Sequence, residues 1–282
     1  MIRDSDMILT VSRTSARQLC SLYGITGNAI KKEEEEEGYN NAPLGSGKIR
    51  IVGTGVDRLT IDTGAQKDID FFCIGRIEKL DGIDKIWSAL KKRRPAVNFV
   101  MIGRASLTEI NHLESIGIDH KGEVTDKEKL ELYSRAKVFL FPSSREGFGI
   151  ALAESVQLGM AAVIWRLPVF EELYSESMMA KQGRIRLLER GNYKLFASEA
   201  LRALDSCDMR NRIISAQPSL SSSLSTTTTT TSSSSPVSSE SKKRATISVL
   251  KLTEEKQEHR SEFLQSWEDV AHKVVKALSE LI

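Results

Sequence analysis

Apolar and polar positions follow two rhythms along this chain, and the rhythms predict its elements. "IDFFCIG" (69–75) is a short apolar run that predicts a buried strand. After it, "GIDKIWSALKKRR" places Ile83, Ile86, Trp87 and Leu90 at i, i+3, i+4 and i+7, the stripe of an amphipathic helix. Pro95 stops that helix, and "VNFVMIG" (97–103) predicts the next strand. A helix over 107–116, a strand over 118–123 and a helix over 126–136 follow, the last opened by the capping box Thr125-x-x-Glu128. Then come strand "KVFLFP" (137–142), helix 149–158, strand "MAAVIW" (160–165), strand "RIRLL" (184–188) and helix 192–206. Strands alternating with helices at this spacing require βαβ crossovers. The expected fold is α/β, a doubly wound parallel sheet with helices on both faces.

The flanks behave differently. "DMILTVS" (6–12) predicts a strand, with Ser12 placed to cap the helix "RTSARQLCSLYG" that ends at Gly24. Order resumes with the strand and Gly-rich turn of "KIRIVGTGVD" (48–57). Between them, residues 27–47 carry a run of five glutamates and a cluster of turn formers, which predicts an exposed insertion. Residues 218–245 open with "PSLSSSLSTTTTTTSSSSPVSSES", hydroxyl-rich and too poor in apolar groups to offset the entropy of ordering. In 246–282, Phe263, Trp267, Val270, Ala271, Val274, Leu278 and Leu281 fall on one helix face, expected to pack back on the body. The chain thus divides at 1–57, 58–217, 218–245 and 246–282.

Composition narrows the function. With 282 residues, 40% of them apolar, there is ample material for a core. A net charge of +2 argues against nucleic-acid binding, which calls for a clear basic excess. Cys20, Cys73 and Cys207 lie far apart and fit buried thiols in a reducing compartment better than disulfides or zinc. The four histidines show no HxxxH pairing, so no metal site is expected. Neither a membrane span of about 20 apolar residues nor a signal peptide is evident. The expectation is a cytoplasmic protein with at most peripheral contact with the inner membrane face.

In an open parallel sheet, ligands bind beyond the carboxyl ends of the strands. Arg76, Arg104 and Arg145 each follow such an end, and three cations on one rim point to an anionic ligand, phosphate above all. The turn "SREGFG" leads from strand 137–142 straight into a helix, whose first amides near Phe148, Gly149 and Ile150 lack intrahelical partners. Gly147 and Gly149 let a ligand approach that backbone, although a tight turn alone would also call for them. Glu146 in the turn and Glu154 in the helix are candidates to accept hydrogen bonds from sugar hydroxyls. Spacing alone leaves Glu154 equally readable as an ordinary exposed helix residue.

Several segments together carry a resemblance. "PSSREGFGIALAESVQLGMAAV" looks like the E-x7-E signature of GT-B retaining glycosyltransferases of the group 1 (family-4) type. "FFCIGRIEKLDGIDKIWSAL", "GEVTDKEKLELYSRAKVFLFPSS" and "SWEDVAHKVVKAL" are similar to further motifs of that family, in the same order. "DMILTVSRTSARQLCSLYG" followed by "KIRIVGTGVD" resembles the end of the family's first domain and its entry into the second. The resemblance implies a Rossmann-like donor-binding domain over 58–217, with 1–57 a remnant of the acceptor domain. It implies a nucleoside diphosphate sugar as donor and no cofactor or metal. Glu146 would contact the donor sugar, Glu154 the ribose, and the Phe148–Ile150 amides the sugar and phosphates. Arg76, in the "GR" motif with Gly75, would neutralise the departing diphosphate, aided by Lys79.

This sequence departs from the family pattern in three places. Asp81 stands where the family usually has a lysine, "IGRAS" lacks a second glycine where Arg104 is expected to compensate, and most of the first domain is missing. The resemblance therefore implies either a fragment or a partner chain supplying the acceptor domain. It also keeps open a catalytically silent sugar-nucleotide-binding or scaffold subunit, and, less well matched, a sugar-nucleotide epimerase.

Overall fold

A computed structural model describes residues 7–23, 49–61, 64–215 and 265–279. The expected insertion 27–47 and the Ser/Thr-rich tract 218–245 lie outside the described residues.

Six parallel strands form the main sheet: β3 (Ile69–Ile74), β4 (Phe99–Ile102), β5 (Asp119–His120), β6 (Ala136–Phe141), β7 (Ala161–Trp165) and β8 (Ile185–Leu188). Their spatial order is β5-β4-β3-β6-β7-β8. The chain first steps outward from β3 to β5, then returns to lay β6 on the other side of β3. The β3/β6 boundary is therefore the topological switch point, where ligand crevices open in doubly wound sheets.

Period-two alternation assigns the two faces. Phe72, Phe139 and Ile164 point to one side and pack with Tyr133, Leu152 and Phe170. Phe71, Val138 and Val163 point to the other and pack with Trp87, Trp165 and Phe196. Helices α4 (Asp126–Arg135), α5 (Ile150–Gln157) and α6 (Pro168–Tyr174) cover the first side; α2 (Ile83–Arg93), α3 (Leu107–Ser115) and α8 (Tyr193–Ser215) cover the second. With both faces buried, the strands can be continuous apolar runs.

Some boundaries differ from those the sequence pattern predicts. The strand expected over 118–123 is regular only over Asp119 and His120; Lys121 N–H and the Gly122 carbonyl still bond to Met101 and Gly103, but Gly122 takes φ +72°, which ends the extended run. Helix 192–206 runs on to Ser215. Helices α6 and α7 (Met178–Lys181) occupy a stretch where no element was expected.

A separate βαβ unit precedes the sheet. β1 (Ile8–Thr10) pairs in parallel with β2 (Ile49–Ile51) around α1 (Arg13–Tyr23). The C-terminal helix α9 (Trp267–Ser279) enters beside this unit: Gly55 bridges to Gln265, and Val56 N–H donates to the Gln265 carbonyl at 2.9 Å. That register turns Val270 and Ala277 inward, so Trp267, Ala271 and Leu278 of the expected stripe are exposed instead. Among the described residues no helix is long and apolar enough to cross a membrane.

Candidate functional site

Two loops meet at the switch point. The first leaves β3 through Gly75 and Arg76, makes one 3-10 turn over Ile77–Lys79, and reaches α2 by way of Asp81 and Gly82. The second leaves β6 at Pro142 and runs through Ser143–Gly149 into α5. They are joined edge to edge: Leu80 bridges antiparallel to Ser143, Ser144 N–H donates to the Lys79 carbonyl at 2.7 Å, and Asp81 N–H to the Pro142 carbonyl at 2.8 Å.

The second loop holds Glu146 in place. Ser143 is fully buried, and its hydroxyl lies 2.8 Å from Oε1 of Glu146. Gly149 caps α5 at φ +87°, a conformation that carries little penalty only for glycine, and a Cβ there would lie 2.7 Å from the Phe170 ring. Ala153 N–H is the one that bonds back to the Gly149 carbonyl. The amides without intrahelical partners are therefore those of Gly149, Ile150, Ala151 and Leu152, which include Gly149 and Ile150 of the Phe148–Ile150 expected from sequence and extend two residues further. No side chain caps this terminus, so the positive end of the helix dipole is open beside Glu146. Gly147 is exposed, and the Phe148 side chain is buried in the core.

Glu154 is not an ordinary exposed helix residue. It is only 8% exposed and receives two side chains from α4: Lys129 Nζ at 2.8 Å on Oε1 and the Tyr133 hydroxyl at 3.0 Å on Oε2. Burial would lower the Lys129 pKa, but Glu154 and Asp126 together outweigh it and hold the ammonium above its usual value. Burial first, then the charge of Glu154, pushes the Tyr133 phenol well above its normal range. Lys129 and Tyr133 were not singled out from the sequence; their helical spacing placed them on one face, but no pattern paired that face with α5.

The three arginines lie beyond the ends of adjacent strands, Arg104 after β4, Arg76 after β3 and Arg145 after β6, and all are exposed. Arg76 stands 3.5 Å from Glu78, and Arg104 3.5 Å from Glu123. Gly75 ends its strand by donating to the Ile102 carbonyl at 3.0 Å, and Gly103 passes so close that a Cβ would collide with the Gly75 carbonyl. Lys79 is partly buried in the 3-10 turn.

Asp81 has its own partners. Its Oδ2 accepts from Arg190 Nε at 2.7 Å and its Oδ1 from the Tyr193 hydroxyl at 3.3 Å, while its carbonyl accepts from Trp165 Nε1 at 3.3 Å. The acid at this position anchors the loop to the segment after β8 and to the start of α8. Among the described residues no group of His, Cys, Asp or Glu is assembled that could hold a metal ion.

An open parallel sheet in this order, with two joined loops and an uncapped helix at its switch point, defines a Rossmann-like domain. The chain belongs to the family of glycosyl transferases group 1, whose model matches residues 61–219. A stretch of 53 residues is 38% identical to the serotype-specific mannosyltransferase WbdA of Escherichia coli, covering 19% of this chain and 6% of WbdA. TarM of S. aureus superposes with a TM-score of 0.54 at 16% identity, over 74% of this chain and 38% of TarM. WaaG, a glycosyltransferase involved in lipopolysaccharide biosynthesis, gives 0.50 at 12% identity, over 73% of this chain and 67% of WaaG. At these identities the two structures speak for the fold. The chain spans less than two thirds of WbdA and of TarM.

Proposed function

We propose that this chain binds a nucleoside diphosphate sugar and forms the donor half of a glycosyltransferase that transfers a hexosyl group with retention. The observation that carries the reading is the meeting, at one switch point, of Glu146 with the uncapped N-terminus of α5. A carboxylate beside free amides and a positive dipole end suits a ligand with both hydroxyls and phosphates. TarM, which shares the fold, has been solved with UDP bound, and this supports a nucleotide donor here.

In this reading the Glu146 carboxylate, oriented by Ser143, accepts from donor sugar hydroxyls, and the α5 amides, which Gly147 and Gly149 leave open to approach, hold the sugar and phosphates. Glu154 accepts from the ribose, its carboxylate kept in one orientation by Lys129 and Tyr133. Arg76 and Lys79 stabilise the diphosphate as it departs, with Arg104 and Arg145 adding positive potential along the rim. Fixed charges aimed at developing negative charge are an effective source of transition-state stabilisation. The acceptor side is supplied by a domain outside the described sheet, in the same polypeptide or a second chain, and the reaction is read as cytoplasmic, with at most peripheral contact with the inner membrane face.

Calorimetric titration with UDP, GDP and ADP, alone and as sugar conjugates, tests the reading. Saturable binding of one nucleotide is expected. No heat of binding for any of them at millimolar concentration would sink it.

A further inference from the structure

The start of α1 reaches into the site. Its first amides are fully accounted for: Arg13 N–H and Thr14 N–H each donate at 2.8 Å to the carboxylate of Glu172 on α6, and Ser15 N–H donates to Ser12 Oγ at 3.0 Å. Ser12 is 1% exposed, and its Oγ also lies 2.9 Å from the Gly147 carbonyl, 135 positions away in sequence. Ser15 Oγ is 2.9 Å from Ser12 Oγ and 3.4 Å from the same carbonyl. A carbonyl can only accept, and each hydroxyl has one proton to give. Ser12, the nearer hydroxyl, is the natural donor; Ser15 is left to complete the cluster.

We propose that Ser12 is a positioning residue for the sugar end of the site: by donating to the Gly147 carbonyl it sets the Gly147–Phe148 peptide plane, one residue beyond Glu146. This rests on the reading of Glu146 as the sugar contact. Gly147 has no side chain of its own to anchor it, and a Cβ there would meet nothing nearer than Ser15 Oγ at 3.5 Å. The turn is otherwise gripped by Ser143 on Glu146, by the Phe148 side chain in the core and by the Phe170 ring against Gly149. Ser12 grips the middle. Helix α6 braces both sides of the arrangement, since Phe170 backs Gly149 while Glu172, two residues on, holds the α1 terminus that carries Ser12. Among the described residues, the side chains assigned to phosphates and ribose, Arg76, Lys79 and Glu154, share no hydrogen bond with Ser12, Ser15 or Gly147. The β1–α1–β2 unit thereby governs how well the sugar is held while leaving the nucleotide end alone.

Three substitutions separate the roles of the hydroxyl. Ser12→Asp keeps an acceptor for the Ser15 amide, so the helix cap survives, but it has no proton for Gly147. Ser12→Ala loses both functions, and Ser12→Thr retains both. Full-length chains are titrated with UDP, UDP-glucose, GDP and GDP-mannose, and thermal midpoints are recorded alongside. The expected result is a drop of roughly three- to tenfold in affinity for the sugar conjugate in the Asp and Ala variants, the scale of one buried neutral hydrogen bond. Affinity for the bare nucleotide should stay within about twofold, and Thr should restore the conjugate. Equal losses for nucleotide and conjugate, or no loss in the Asp variant, would overturn the proposal while leaving the donor-site reading intact. If Ser12→Ala does not fold, the Asp and Thr variants decide. An unsubstituted chain that binds nucleotide but gains nothing from either sugar overturns the sugar-end assignment; one that binds nothing overturns the donor-site reading as well.

Discussion

Lys129 Nζ lies 2.8 Å from Oε1 of Glu154, joining α4 to α5 beneath the candidate ribose contact. The side chains are 22% and 11% exposed, so neither charge is well solvated without the other. Removing one partner from such a pair leaves the other stranded, which is harsher than removing both.

Lys129→Met is therefore expected to destabilise the fold by about 1–3 kcal/mol. Glu154→Gln, which keeps an acceptor for Tyr133, should be milder. The double change Lys129→Met with Glu154→Met should recover part of the loss. Urea unfolding of Lys129→Met, Glu154→Met and the double variant gives the coupling energy directly. Strictly additive effects would show that the pair is not coupled.

Glu146→Ala removes the group that Ser143 orients. The expected signature is weaker binding of a sugar conjugate with the bare nucleotide little changed, whereas Glu154→Ala should weaken both. Titration of the two variants side by side reads the contrast. A reversed pattern would exchange the roles assigned to the two carboxylates.

Gly149→Ala introduces a Cβ at φ +87° and 2.7 Å from the Phe170 ring. The left-handed conformation contributes about 1–2 kcal/mol of penalty and the overpacking about 1–3 more. A total loss of about 2–5 kcal/mol in urea unfolding is expected, and Phe170→Leu in the same chain should relieve the overpacking share.

His120 makes the stability pH dependent. It is 5% exposed, its Nδ1 accepts from Gly122 N–H at 3.1 Å, and burial lowers its pKa despite the opposing charges of Glu114, Asp119 and Glu109. With the folded pKa below the unfolded value of about 6.5, the unfolded chain takes up the proton first as pH falls. The contribution is thus fully present above about pH 6.5 and is lost as pH falls toward the depressed folded pKa. Urea midpoints between pH 7.5 and 5.5 should fall more steeply in the unsubstituted chain than in His120→Phe, whose side chain does not titrate.

The Asp81–Arg190 pair can be tested by exchange. Asp81→Lys sets two cations together, with an expected loss of no more than about 1 kcal/mol because Arg190 is half exposed and screened. Asp81→Lys combined with Arg190→Asp should regain it, as thermal midpoints would show.

The sheet was legible in the sequence because strands buried on both faces are short apolar runs, whatever their neighbours. β6 and β7 start within a residue of their expected positions for that reason. Helix α6 was not legible: Val169, Phe170, Leu173 and Tyr174 repeat with helical spacing, but over only seven residues between loops. Glu146 and Glu154 were visible as a pair, yet spacing could not tell that Glu154 is buried. That depends on Lys129 and Tyr133 arriving from a helix whose placement follows from the β3–β6 return. Glu172 was equally hidden, because its partners are backbone amides that carry no sequence signal. On α9, periodicity pointed to one face, and the structure buries another through Val270 and Ala277, which shares only Val270 with the buried positions expected there.

The hydrogen bonds that join Lys79 and Asp81 to Ser144 and Pro142 carry a consequence for engineering. The two rims of the crevice are one strip of backbone contributed by chain segments some sixty residues apart. A designer wishing to transplant ligand preference from a relative would have to move residues 75–82 and 142–149 together. Grafting either alone would leave main-chain groups facing a mate of the wrong length. The natural exchange unit here is a pair of loops.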